Sequence, residues 1–235
     1  MNMKRIFVPT SSGADWQRLL AKPKLHWKKG ASAMTAAASW EDAAGKLPAE
    51  IEAMLTSSGE PALANLTLLA ALPEWEVALP GGDTTSHTDV LALCTNSHGL
   101  CVIAVEAKAL EDFGPLVAEK RAAPSTGQTA RLDYLHALLG VKHFDDAIRY
   151  QLLHRTASAV LTSRNFHAAT AVMLVHAFGT PIERKGDFEA FCGAMSATEV
   201  APQVFKVPGS TTPTLYLAWC AGSDRYREVQ LESVV

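Results

Sequence analysis

Apolar and polar positions change their rhythm near residue 70. Residues 1–70 are alanine-rich, and their apolar positions fall in short blocks separated by Gly, Pro and Ser. The pattern predicts helices at 13–21, 31–44 and 49–55, the last with Pro48 in its first turn. A fourth is expected at 61–71, opened by Pro61. Beyond this point strand-length apolar runs dominate, at 76–79, 89–95, 100–108, 170–178 and 214–220. Pro80-Gly81-Gly82 stops the first run, and Asn96-Ser97-His98-Gly99 supplies turn chemistry between the second and third. Helices are expected near 129–139, at 146–163 with Asp145 as cap, and at 187–195. The order is helices, three strands, helix, strand, helix, strand. It predicts an α/β fold: a mixed central β-sheet flanked by helices, with an N-terminal helical elaboration. The chain reads as a single domain over 1–235, mainly helical at 1–70 and sheet-containing at 71–235.

The charged ends of two of these runs change the picture. Asp89 opens one and Glu106-Ala107-Lys108 closes the next. If the runs form a hairpin turning between Ser97 and His98, Asp89 faces Glu106, Leu91 faces Ala104 and Cys94 faces Cys101. Residues opposite each other in an antiparallel pair share a face with Cβ atoms ~5 Å apart. Lys108, two residues beyond Glu106, joins that face, and His87 stands opposite it. Two facing carboxylates repel and resist desolvation, and a hard divalent cation resolves the conflict. Two acids and a lysine at one sheet edge suit metal-assisted phosphodiester cleavage, with Mg²⁺ or Mn²⁺ held by Asp89 and Glu106. The bland alternative is a structural ion-pair cluster. A second triplet, Glu183-Arg184-Lys185, falls in an expected loop and shows how cheaply such a motif arises.

These residues resemble the PD-(D/E)XK, or restriction-endonuclease-like, nuclease superfamily, and the chain looks most like its bacterial members. Thr88-Asp89 stands for an acid opening the second core strand, with Thr in place of the motif's proline. Glu106-Ala107-Lys108 stands for the Glu-x-Lys ending the third. The resemblance implies a helix-strand-strand-strand-helix-strand core over about 31–178. It also implies a nuclease acting on nucleic acid, DNA before RNA, in which Asp89 and Glu106 bind metal and Lys108 assists the attacking water. Some branches carry a glutamine on the following helix, and Gln151 looks similar. Gln151, Arg155, Ser158 and Thr162 also form a polar stripe at helical spacing, which a solvated face explains equally well. A glutamate on the first core helix is common in the family. Glu41, Glu50 and Glu52 are the candidates, with Glu41 preferred because it follows Trp40 on the better helix. The stretch 109–143 is long for the family core.

Composition adds bounds. Apolar content of 48%, charged content of 19% and a net charge of −3 fit a globular protein and disfavour broad nucleic-acid binding. A second reading follows, in which the chain is a non-catalytic nuclease-fold module binding nucleic acid or a protein partner. Local basic clusters remain candidates for nucleic-acid contact: Lys24, Lys28 and Lys29 around Trp27, and Arg131 and Arg155 farther on. Lys120, Arg121 and Gln128 join Arg131 as a possible clamp or lid. The four cysteines lack paired spacing, and Cys94, His98 and Cys101 lack a fourth zinc ligand. With no leader-like N-terminal run and no apolar span, a cytoplasmic protein off the membrane is expected. A homodimer is compatible with the sequence, which does not demand one.

Overall fold

The computed structural model describes residues 10, 12–82, 84–122, 124–209 and 213–234. The expected absence of a leader concerns residues 1–9, outside the described ones. The fold is α/β, built on a seven-stranded mixed sheet with helices on both faces.

A 3₁₀ turn at Gly13–Leu19 leads to α1 (Pro23–His26), α2 (Ser32–Asp42) and α3 (Ala49–Ser57). Then come β1 (Thr67–Val77), β2 (Ser86–Asn96), β3 (Gly99–Lys108), α4 (Val117–Ala122), α5 (Thr126–Leu139), α6 (Tyr150–Asn165) and β4 (Thr170–Ala177). The chain closes with α7 (Ile182–Ala194), β5 (Thr198–Ala201), β6 (Val204–Lys206), β7 (Thr214–Ala221) and a 3₁₀ turn at Asp224–Glu228. The strand order is β1-β2-β3-β4-β7-β6-β5. β1, β2 and β3 form an antiparallel meander; β4 runs parallel to β3, and β7 parallel to β4.

Alternation along the strands sends successive side chains to opposite faces. Val90, Ala92, Ile103, Val105, Val172 and Leu174 pack under Trp40, Ile51 and Leu55 of α2 and α3. Ala104, Ala171, Met173, Val175 and Leu217 pack against α5, α6 and α7 through Leu135, Leu152, Leu153, Phe188 and Phe191. β4 is buried along its whole length, which explains its unbroken apolar sequence.

The expected helix at 61–71 does not form. Turns occupy that segment up to Asn65, which sits at φ 51, and β1 begins at Thr67. The Ala-Leu composition favours a helix locally, yet nine register pairs with β2 override it. Pro73 is tolerated because β1 is an edge strand. α6 starts at Tyr150 rather than 146, because Asp145 caps a turn: its Oδ1 accepts from the Ala147 amide at 2.8 Å. α7 starts at Ile182, so Glu183-Arg184-Lys185 lies on a helix instead of a loop. The short β5 and β6 carry too few residues to register as apolar runs. α5 follows its chemistry closely, with a Ser125–Gln128 capping box at one end and Gly140 at φ 69 at the other.

Candidate functional site

The β2–β3 hairpin has the predicted register. Val90 pairs with Val105, Leu91 with Ala104 and Cys94 with Cys101. One step beyond Val90, the Asp89 carboxylate caps the neighbouring strand: Oδ2 accepts from the Ala107 amide at 2.7 Å. Alternation puts Glu106 on the face covered by α6, where three donors meet it. Lys108 Nζ and Gln151 Nε2 donate to Oε1 at 2.6 and 2.7 Å, and Arg155 Nε donates to Oε2. Arg155 also donates from Nη1 to Ser86 Oγ at 3.0 Å, which ties α6 to the start of β2. Glu106 is 2% exposed and Lys108 5%.

Burial pushes the Glu106 carboxyl up, but the charges of Arg155 and Lys108 and their hydrogen bonds outweigh it and hold it at about 2. Asp89 goes the other way. Burial, then the charge of Glu106, raises it to about 7 against the pull of Arg155 and Lys108. Glu74 on β1 is a third carboxylate. Its neighbours Pro73 and Trp75 pair with Val90 and Thr88, so it stands across from Asp89. It sits in mid-strand at φ 52, a conformation that costs a non-glycine residue about 1–3 kcal/mol. Glu74 makes no hydrogen bond or ion pair with a described residue, and burial followed by the charge of Asp89 raises it to about 9.

These groups line one cavity of about 600 Å³. Glu74, Asp89 and Glu106 form its acidic floor, with Lys108, Gln151 and Arg155 beside them. Lys22 and His26 stand on one flank, Tyr150 and His154 on another. Lys108 Nζ also lies 5.3 Å over the Phe113 ring. Among the described residues, no group of three or more His, Cys, Asp or Glu is arranged to hold a metal ion.

Asp89, Glu106, Lys108, Gln151 and Arg155 therefore converge, and the other predicted site residues do not join them. Glu41 accepts from Trp16 Nε1 at 2.9 Å and lies outside the cavity lining. Glu50 reaches the buried His176 at 3.0 Å instead. Arg155 is 9% exposed and committed to Glu106, so it is no surface contact for nucleic acid. Arg131 is equally engaged: it donates to Leu79, Pro80, Gly82 and Thr84 and pins the Pro80-Gly81-Gly82 loop. Lys29 pairs with Glu228 at 2.9 Å, while Trp27 is buried and donates to Glu232 O, so no ring is offered there for stacking. Lys24 and Lys28 are exposed but line no part of the cavity; Lys22 and His26 do. The polar stripe of α6 is not a solvated face. Arg155, Ser158 and Thr162 are buried toward the sheet, where Thr162 accepts from Trp75 Nε1 at 3.3 Å.

Sequence reasoning missed Glu74. An acid within the apolar run 66–75 was its signal, visible only if that run is read as a strand. The family model described as "Domain of unknown function (DUF6946)" matches residues 9–224. No curated protein and no solved structure matches the chain. The chain belongs to the DUF6946 family.

Proposed function

We propose that this chain is a divalent-cation-dependent hydrolase of phosphodiester bonds in nucleic acid, with DNA the first substrate to test. The convergence of Asp89, Glu106, Lys108 and Gln151 at the adjoining ends of β2 and β3, facing one cavity, carries the reading. These are the four residues to which the resemblance to the PD-(D/E)XK nucleases gives roles, with Thr88 in place of the motif's proline.

The donor set fits Mg²⁺ or Mn²⁺. Glu74 has an unengaged carboxylate, and the Asp89 bond to Ala107 uses one oxygen. Both are pushed toward their protonated forms by burial and mutual repulsion, a strain that a hard cation relieves. Glu106 Oε1 is filled by Lys108 and Gln151, while Oε2, bonded to Arg155, keeps one lone pair. Asp89 and Glu74 would thus hold the ion, with waters and a substrate oxygen as its other ligands. When bound, the cation lowers the pKa of water and neutralises charge on the phosphoryl group.

The chain's own residues supply the rest. Lys108, anchored by Glu106, keeps N–H donors for the attacking water or a phosphoryl oxygen. Gln151 fixes the Glu106 carboxylate. Arg155 offsets its charge; with Glu74 and Asp89 ionised by a bound cation, three acids would stand against two cations, an excess of one negative charge. So small an excess holds a divalent ion weakly, and a substrate phosphate adds the missing charge.

A specific observation favours a second reading, the non-catalytic binding module: three donors already occupy Glu106. Incubating the protein with labelled single-stranded DNA, duplex DNA and RNA separates the two. Cleavage with Mg²⁺ or Mn²⁺, its loss in chelator, and a drop of about 10²-fold or more in Lys108→Ala or Asp89→Asn support the hydrolase. Binding without cleavage under every divalent ion leaves the module, and full activity in Lys108→Ala rejects this site as the source of cleavage.

A further inference from the structure

A second cavity of about 210 Å³ adjoins the first, and Tyr150 and His154 line both. Its chemistry is opposite. Five carboxylates line the larger cavity: Glu74, Asp89, Glu106, Glu111 and Asp112. Among the described residues, none lines the smaller one, which instead presents Lys120, Arg131, Gln128 and Thr84. The two cations differ in duty. Arg131 spends its donors on the 79–84 backbone and Thr84, so it builds the wall. Lys120 makes no salt bridge with a described residue; its Nζ lies 5.3 Å over the Tyr150 ring and is free for an anion. The wall is rigid: Gly81 stacks on the first turn of α5 so closely that a Cβ there would lie 2.1 Å from Gly127 O. His154, driven down to about 3 by burial and then by the charge of Arg155, is neutral at pH 7, so the cationic character of this cavity comes from Lys120 and Arg131.

We propose that the smaller cavity is a subsite for a backbone phosphate of a polynucleotide, next to the phosphate that enters the acidic cavity. Lys120 is the phosphate ligand, and Tyr150 is the partition that the intervening sugar or base crosses. An acidic, cation-holding chamber beside a cationic one places negative charge in one and metal in the other, as a chain of phosphodiesters requires. The inference rests on the hydrolase reading for the role of the larger cavity, but Lys120-dependent binding stands or falls separately.

The test is binding of a fluorescently labelled single-stranded DNA decamer in chelator, where no cleavage occurs, at several salt concentrations. Lys120→Ala is expected to raise Kd about 5- to 20-fold and lower the salt slope by about 0.7, the loss of one phosphate contact. Lys120→Arg is expected to keep the slope. Because Lys120 touches Tyr150, thermal melts of both variants establish that the fold is intact, and Lys120→Arg carries the test if the alanine variant does not fold. An unchanged Kd and slope in Lys120→Ala, a lost slope in Lys120→Arg, or no binding of the decamer overturns the subsite. Inorganic phosphate or a mononucleotide competing as strongly as an unlabelled decamer overturns the polynucleotide assignment. Lys120-dependent binding without cleavage under any divalent ion rejects the hydrolase and keeps the subsite. Cleavage with KM and kcat untouched by Lys120→Ala does the reverse.

Discussion

At the residue scale, Glu106 sets the balance of the site. It is a buried carboxylate whose cost is met by Arg155, Lys108 and Gln151 together. Removing one partner of a buried pair strands the other charge. Arg155→Ala is therefore expected to destabilise the fold by about 3–5 kcal/mol in urea denaturation, and Gln151→Ala by about 1 kcal/mol. The acids also give the fold opposite pH dependences. Glu106 is held below its ordinary value, so its contribution is present above about pH 4.5 and lost as pH falls toward 2. Asp89 and Glu74 are raised to about 7 and 9, so their contributions are present below about pH 4 and lost as pH rises through those values. The metal-free protein should thus melt at a lower temperature at pH 9 than at pH 5. Mg²⁺ at millimolar concentration should raise the melting temperature more at pH 9 than at pH 5, and Asp89→Asn together with Glu74→Gln should flatten both effects. Equal Mg²⁺ shifts at the two pH values would contradict the placement of the ion at these acids.

At the element scale, register carries the site. The β2–β3 hairpin was legible because its turn chemistry is local and the position of the turn sets the register, which brings Asp89 and Glu106 together. β1 was not legible. Its leucines and alanines serve a helix as well as a strand, and only pairing with β2 chooses. That choice decides where Glu74 stands, since a helix at 61–71 would have left it in a connection. The loop after β1 gives a separate test. Gly81 has φ +86 and no room for a Cβ against Gly127 and Arg131. Gly81→Ala should cost about 1–3 kcal/mol in stability and loosen the loop that Arg131 pins, seen as faster amide exchange at residues 79–82. Gly114→Ala, where a Cβ meets nothing within 4 Å but φ is +67, should cost less.

At the scale of the whole molecule, the sheet separates two apolar layers, and the site opens where the layers end. Leu91, Ala104 and Glu106 share one face; Leu91 packs in a cluster with Ala168 and Trp75, and α6 covers Ala104 with apolar side chains and Glu106 with Gln151 and Arg155. All four cysteines lie in these layers as free thiols, and burial raises each one's pKa. A thiol reagent should therefore react slowly with the folded protein and label four groups in denaturant. Fast labelling in native buffer would show that the layers open. Among the described residues no helix is long and apolar enough to cross a membrane.

The sequence by itself determined what local chemistry and period dictate: the α/β class, the antiparallel hairpin, the apolar run of β4, a helix near 129–139, and the placing of Asp89, Glu106 and Lys108 on one face. Only the tertiary structure decided which charges are spent. Arg155 and Arg131 read alike as surface cations along the chain, yet one is buried against Glu106 and the other binds a loop backbone. Glu41 was a candidate along the chain and Glu74 was not, yet Glu41 serves Trp16 and Glu74 faces Asp89. Burial and partnership join residues tens of positions apart, and these long-range pairings fix the energy of each charge.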